Sequence, residues 1–278
     1  MAETEERSSL EENLRVMDNL ARIKHKIVVM SGKGGVGKST VAVNLALTLA
    51  SEGHRVGVMD VDIHGPDVAK LLGVEDARLE SDGEMIIPVR VNENLSAISM
   101  AFLLEDRDTP IVWRGPLKMT AIRQFLGEVI WGDLDYLVID LPPGTGDEPL
   151  TVAQMIPDGA WAVIVTTPQD LALLDSRKAI RFAEALKMKV AGVVENMSGF
   201  ACPHCGKSID LFKTGGGEAA ARDMGVAFLG RVPIDPQMVM MSDLGKPYVV
   251  EEPGEPAPKA FRAIAGELEK RVEGGDGA

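Results

Sequence analysis

Two periodicities divide this chain. Short, continuous apolar runs occur at Lys26 to Met30, Arg55 to Asp60, Tyr136 to Asp140, Trp161 to Thr166, Val190 to Glu195 and Val226 to Gly230. Runs apolar at both alternate positions predict strands covered on both faces, as in parallel sheets. Between them, apolar residues recur at helical spacing across Val41 to Ser51, Lys118 to Val129 and Ser176 to Lys187, and again at Phe261, Ile264, Leu268 and Val272. Strands that alternate with helices predict an α/β fold: a three-layer sandwich whose mainly parallel sheet carries helices on both faces. At the start, Ser9-Leu10-Glu11-Glu12 has capping-box form, and Leu10, Leu14, Met17 and Ala21 share one helical face. An N-terminal helical extension over 1–24 is therefore expected. Leu79 to Met100 is less regular and predicts a short hairpin-like excursion before a further strand. No long linker interrupts the alternation, so 25–273 reads as one domain, followed by a glycine-rich tail, 274–278, expected to be disordered.

Composition narrows the function classes. A chain of 278 residues with 45% hydrophobic content can bury a substantial core. The net charge of −13, without clustered Lys and Arg, argues against nucleic acid or an anionic membrane as partner. The polar side of the last helix mixes Glu267, Glu269, Lys270 and Arg271, which suits packing on the core better than membrane anchoring. No run approaches a membrane span, and the acidic opening Met1-Ala2-Glu3-Thr4-Glu5-Glu6 is unlike a secretory signal. A cytoplasmic protein is expected.

The strongest chemical signal is Ser31-Gly32-Lys33-Gly34-Gly35-Val36-Gly37-Lys38-Ser39-Thr40, which fits the phosphate-binding loop G-x-x-x-x-G-K-[ST] and adds a second lysine, Lys33. It follows a strand-like run and precedes a helix-like one, the context the motif requires. Glycines let successive backbone N–H groups face one anion, Lys38 neutralises phosphate oxygens, and Ser39 can hold Mg²⁺. Carboxylates at strand ends supply the other half of such a site. Asp60 and Asp62 are expected on the same side of one strand end, and Asp140 closes a Walker-B-like run as a carboxylate that orients Mg²⁺ or its water. Gly144, in Pro142-Pro143-Gly144-Thr145-Gly146, can bring backbone close to a γ-phosphate. A guanine-specific N-K-x-D is missing where the chain reads Val193-Val194-Glu195-Asn196-Met197-Ser198, which favours adenine. Asn196 is a candidate contact to the base, and Pro233 and Asp235 are candidates for its other face; turn chemistry suits all three equally well.

The only two cysteines, Cys202 and Cys205, sit at C-x-x-C spacing in Cys202-Pro203-His204-Cys205. Structural zinc and iron-sulfur clusters commonly take four ligands, so one chain supplies half a Cys₄ site. A two-fold symmetric dimer completes it and leaves an exposed, bridging, exchangeable centre. His204 is a weaker candidate ligand, more simply a solvated loop residue.

Taken together, the deviant loop around Lys33 and Lys38, Asp60-Val61-Asp62-Ile63-His64-Gly65-Pro66, Trp113-Arg114-Gly115-Pro116, Asp140-Leu141-Pro142-Pro143-Gly144-Thr145-Gly146-Asp147, Pro168-Gln169-Asp170 and the cysteine pair resemble the Mrp/ApbC iron-sulfur carrier ATPases over about residues 20–250. The wider class is similar to the nitrogenase iron protein and the MinD/ParA ATPases. The resemblance implies a P-loop ATPase domain over 25–273 and an ATP-dependent homodimer. It also implies a labile [4Fe-4S] cluster that bridges two protomers, is received from a donor or scaffold, and is passed to apo iron-sulfur proteins. Lys33 would reach the partner's nucleotide, Asp62 would orient the attacking water, and Asp60 and Asp140 would support Mg²⁺ through water. The rival readings within that class are a MinD/ParA-like spatial organiser and an electron-transfer ATPase. Scaffold-type members carry an added N-terminal four-cysteine cluster; residues 1–25 contain no cysteine, so a second stable cluster is not expected.

Overall fold

Eight strands join in one sheet, in the order β12-β9-β8-β1-β7-β2-β6-β5. The computed structural model describes residues 2–103, 115–156, 159–202, 205, 207–209 and 211–274. In chain order the elements are α1 (Ala2–Ala21), β1 (Ile23–Ser31), α2 (Lys38–Ser51), β2 (Val56–Asp60), α3 (Val68–Leu71), β3 (Glu80–Ser81), β4 (Ile86–Ile87), β5 (Val89–Arg90) and β6 (Leu95–Ser99). There follow α4 (Gly115–Gly127), β7 (Leu134–Asp140), α5 (Asp147–Met155), β8 (Ala160–Thr166), α6 (Asp170–Ala185), β9 (Lys189–Glu195), β10 (Phe200–Ala201), β11 (Ser208–Ile209), α7 (Gly216–Met224), β12 (Phe228–Arg231), α8 (Pro236–Asp243), α9 (Tyr248–Glu251) and α10 (Pro256–Gly274). All pairings in the large sheet are parallel except β5 with β6. The expected excursion is real: β3 and β4 pair antiparallel before β5 and β6.

The period of two survives inside the continuous apolar runs. Ile27 and Val29 of β1 face a core shared with Val41, Leu45 and Leu49 of α2 and with Phe261, Ile264, Leu268 and Val272 of α10. Val28 and Met30 face the opposite core, with Ile122 and Phe125 of α4 and Ile180 of α6. The four apolar residues of α10 are fully buried, each stabilising by about 1.5–3 kcal/mol, which holds that helix on the sheet as its polar face suggested. The register sets Val29 beside Asp140 and Asp60 beside Asp140, so the carboxyl ends of β1, β2 and β7 finish level. In an open parallel sheet that edge is where ligands bind.

One expectation fails at α1. Leu14 and Met17 are half exposed, and Ala21 is exposed too; Val16 and Leu20 are the buried residues. The register is fixed by Asn19, whose Nδ2 donates to the Leu126 and Val129 carbonyls at 2.8 Å each, and by Gly127, where an added Cβ would stand 2.8 Å from Val16 Cγ2. Helical spacing alone does not reveal that a polar residue chooses the inward face. The Leu10 side chain lies outside the described residues, as do Trp113, Arg114, Pro203, His204, Gly206 and the tail from 275. Among the described residues, no helix is long and apolar enough to cross a membrane.

Candidate nucleotide and thiol sites

The loop Gly32–Thr40 joins β1 to α2 at the level sheet edge. The fourteen-residue α2 opens there, so its N-terminal N–H groups and partial positive charge face the crevice. Two close approaches shape the loop. Gly37 caps α2 at φ 79°, and a Cβ there would stand 2.2 Å from Asn196 Nδ2, which itself donates to the Val36 carbonyl at 2.9 Å. A Cβ on Gly32 would stand 2.1 Å from the Asp175 carbonyl oxygen of α6. The loop is thus held from the β9 side and the α6 side, before any ligand arrives.

Lys38 is buried and folded back. Its Nζ donates to Asp140 Oδ1 at 2.6 Å and to Ser39 Oγ at 3.2 Å, and lies 3.9 Å from Asp62 Oδ2. A buried ammonium must be paired, and Asp140 pairs it here in place of phosphate. The other carboxylate oxygen, Asp140 Oδ2, is buried with no hydrogen-bond partner among the described residues. That orphan acceptor beside the Ser39 hydroxyl fits a hard cation or its water. Burial pushes the Asp140 carboxyl up, against the pull of Lys38.

The two aspartates of the Asp60-Val61-Asp62 segment part company. β2 ends at Asp60, but Met59, Val61 and Ile63 keep to one core, so Asp60 and Asp62 share the other side as expected and differ in their partners. Asp60 is fully buried. Its Oδ1 accepts from the Asp62 N–H, and its Oδ2 accepts from Ser99 Oγ at 2.8 Å and from the Val68 N–H. Burial, then the neighbouring Asp140, holds Asp60 well above the usual carboxylate range. Asp62 instead lines the phosphate-loop cavity of about 190 Å³, with Lys33, Gly34, Gly35, Gly37, Ser39 and Thr40; burial raises it, with Lys38 opposing. Gly144, at φ 92°, donates its N–H to the Ser31 carbonyl at 3.0 Å, so that group braces the loop's root and is not left for phosphate.

Beyond Gly37 and Thr40 the crevice widens into a cavity of about 400 Å³ lined by Asn196, Met197, Pro233, Ile234, Asp235 and Met238. The three base-contact candidates are therefore brought together. Asn196 uses its Nδ2 on the loop, and Asp235 uses its carboxylate on the Gln237 N–H, capping α8, and on the Tyr248 hydroxyl. What they offer a base is shape, with backbone and the Asn196 carbonyl as the remaining polar groups.

β10 and β11 form a hairpin closed by the Cys202 N–H on the Lys207 carbonyl at 2.9 Å. Cys202 is half-buried and Cys205 exposed, and neither is in a disulfide. The hairpin is not remote from the nucleotide crevice. Ile234 N–H donates to the Gly199 carbonyl, and Pro233, Ile234 and Asp235 wall both the base cavity and a second cavity of about 290 Å³ that touches Cys202.

Sequence reasoning missed Glu195. It ends β9 fully buried, and its carboxylate accepts from Ser198 Oγ, from the Gly215 N–H at 2.9 Å and from the Gly217 N–H, with Arg231 Nε 3.5 Å away. These partners stand on both sides of the cysteine segment, so one side chain clamps its entry and its exit at the N-terminus of α7. The signal was present: Glu195 is a charge ending an apolar run, as Asp60 and Asp140 are.

The chain is 48% identical over 264 residues to an iron-sulfur cluster carrier protein of Methanocaldococcus jannaschii, covering 95% of this chain and 90% of that protein. It is 45% identical over 238 residues to a cytosolic Fe-S cluster assembly factor NUBP2 homolog of Dictyostelium discoideum, covering 84% and 89%. Among solved structures, a nucleotide-binding protein from Archaeoglobus fulgidus in complex with ADP, in which cobalt was found, superposes with a TM-score of 0.77 at 42% identity, covering 90% and 96%. The cell division ATPase MinD of Pyrococcus furiosus shares the fold, with a TM-score of 0.66 at 24% identity, covering 89% and 99%. The family model described as ParA, NUBPL iron-transfer P-loop NTPase, matches residues 22–269, and the chain belongs to that family.

Proposed function

We propose that this protein is an ATP-hydrolysing iron-sulfur cluster carrier that holds a labile [4Fe-4S] cluster between two copies of the chain and passes it to apo-proteins. The observation that carries the reading is the placement of the only two thiols on an accessible hairpin that shares the Pro233–Asp235 wall with the nucleotide crevice. Two thiolates per chain are half of a four-thiolate set, so a symmetric pair of chains supplies the rest. An exposed apolar patch suits that pairing. Leu171 and Leu174 are 75% and 58% exposed beside the phosphate loop, Leu211 is 56% exposed beside the hairpin, and the Lys213–Asp170 ion pair at 2.7 Å holds the two stretches together.

Within each protomer the N-terminus of α2 and Lys38 bind the phosphates. Ser39 and Asp140 hold Mg²⁺, which neutralises developing charge when bound. Asp62, the cavity-lining carboxylate, positions the attacking water; Asp60, spent on Ser99 and its own turn, shapes the loop that carries Asp62. Lys33 serves the partner's nucleotide. Mg·ATP is preferred to Mg·GTP.

Anaerobic reconstitution tests the cargo. About four irons per dimer with a broad cluster absorbance are expected, and Cys202→Ala or Cys205→Ala removes both while ATP binding persists. A purified native dimer with stoichiometric zinc at these thiols, and no iron taken up, overturns the cargo assignment. Mixed dimers test the partner arrangement: Lys33→Ala and Lys38→Ala chains, each inactive alone, regain partial ATPase activity when combined, because one composite site escapes both defects. No recovery in demonstrated mixed dimers refutes action across the interface.

A further inference from the structure

At the opposite edge of the sheet, Glu52 at the C-terminus of α2, His54 in the following turn and Glu269 of α10 converge. Each offers one ligand atom, and the three atoms lie within 4.8 Å of one another. His54 Nε2 and Glu269 Oε1 are 2.7 Å apart, with the side chains 31% and 23% exposed, and Glu52 is exposed, so the cluster is sheltered only on its His54–Glu269 side. We propose that Glu52, His54 and Glu269 form a second metal site, for a borderline divalent cation of the Zn²⁺ class, that staples α10 to the α2–β2 turn.

The donor set fits that class. One imidazole and two carboxylates suit Zn²⁺ or Co²⁺ better than Mg²⁺, which prefers oxygen alone and keeps its waters. Metal–ligand distances near 2.0–2.2 Å require donors roughly 3.4 Å apart, between the 2.7 Å His54–Glu269 separation and the 4.8 Å limit of the cluster. Three protein ligands leave a fourth position for water.

A second observation lies beneath the cluster. The Tyr136 hydroxyl is buried with no hydrogen-bond partner among the described residues, and the Tyr136 ring packs edge-on against His54 at 5.2 Å between centroids. A metal-bound water at this cluster would offer the hydroxyl an acceptor, the usual role of a group just outside a metal's ligand set. The staple joins the helix that follows the phosphate loop to the helix whose four apolar residues cover the sheet, and it uses neither thiol.

The test uses the full chain with Cys202→Ser and Cys205→Ser, without nucleotide and in excess Mg²⁺ to occupy the phosphate-loop carboxylates. Titration with Co²⁺ is expected to show one equivalent with ligand-field absorption lacking thiolate charge transfer, displaced by Zn²⁺, with a rise in Tm. His54→Gln and Glu269→Gln in that background each lose the equivalent and the Tm rise. Absence of the equivalent in the parent, or its retention in both variants, reduces the cluster to a His54–Glu269 ion pair and overturns the proposal.

Discussion

The phosphate loop and the cysteine hairpin are built on opposite plans. The loop backbone is set before its ligand arrives: Gly37 and Gly32 are pressed against Asn196 and α6. The hairpin is a pair of two-residue strands with one thiol exposed, tethered at its base by Glu195. Preorganisation suits a site that must bind triphosphate tightly and stabilise charge during hydrolysis. Accessibility suits a site that must give its cargo away. The difference teaches that one fold keeps the two demands apart by placing them on either side of a shared wall, Pro233 to Asp235.

The most severe way to break the comparison is at the finished site. Lys38→Ala is expected to weaken Mg·ATP binding by on the order of a hundredfold or more, about 2.8 kcal/mol, in equilibrium titration. Gly37→Ala is expected to weaken binding as well, because it must clear Asn196 and hold a left-handed conformation that costs about 1–2 kcal/mol in an ordinary residue. Unchanged affinity in either variant removes the site assignment.

Asp62→Ala separates grip from turnover. It lines the cavity without being the main partner of Lys38, so ATP binding is retained within a few-fold while steady-state hydrolysis falls by on the order of 10²-fold, the lower range for a positioned catalytic group. A parallel loss of affinity makes Asp62 a binding residue instead.

Glu195→Gln sharpens the comparison from the hairpin side. An amide offers one acceptor oxygen where the carboxylate serves Ser198, Gly215 and Gly217 and faces Arg231, so about 1.5–3 kcal/mol of charge-assisted bonding is lost locally. Cluster release to chelator is expected to quicken several-fold while nucleotide affinity changes little. Equal release rates disconnect the clamp from the cargo.

The smallest effect is a pH slope in the nucleotide-free protein. Asp60 titrates above its ordinary value near 3.8, so between that value and its raised folded value the native state holds more protons than the unfolded chain. Stability contributed by the protonated form is therefore present at acid pH and lost as pH rises. Asp60→Asn, which cannot ionise, is expected to flatten that decline in urea melts as pH rises above the ordinary carboxylate range. An unchanged slope contradicts the assigned direction.

The sequence made the candidate nucleotide site legible because its signals are local. A glycine-rich loop between a strand and a helix, and charges that end apolar runs, mark Lys38, Ser39 and Asp140 without knowledge of the fold. Asp60 and Asp62 were legible as a pair on one side, since Met59, Val61 and Ile63 keep the alternation past the end of β2, but their different partners were not. The inward face of α1 was hidden because Asn19 turns it with bonds to carbonyls more than a hundred residues away. The Glu52, His54 and Glu269 cluster was hidden for the same reason, its members meeting only where α10 crosses the end of α2.

The most direct measurement follows the cargo. Iron-loaded dimer is mixed anaerobically with an apo enzyme that requires a four-iron cluster, and that enzyme's activity is recorded against free iron and sulfide at equal concentration. The account predicts activation faster and more complete than the control, and none from Cys202→Ala or Cys205→Ala protein. Activation no better than free iron and sulfide contradicts it.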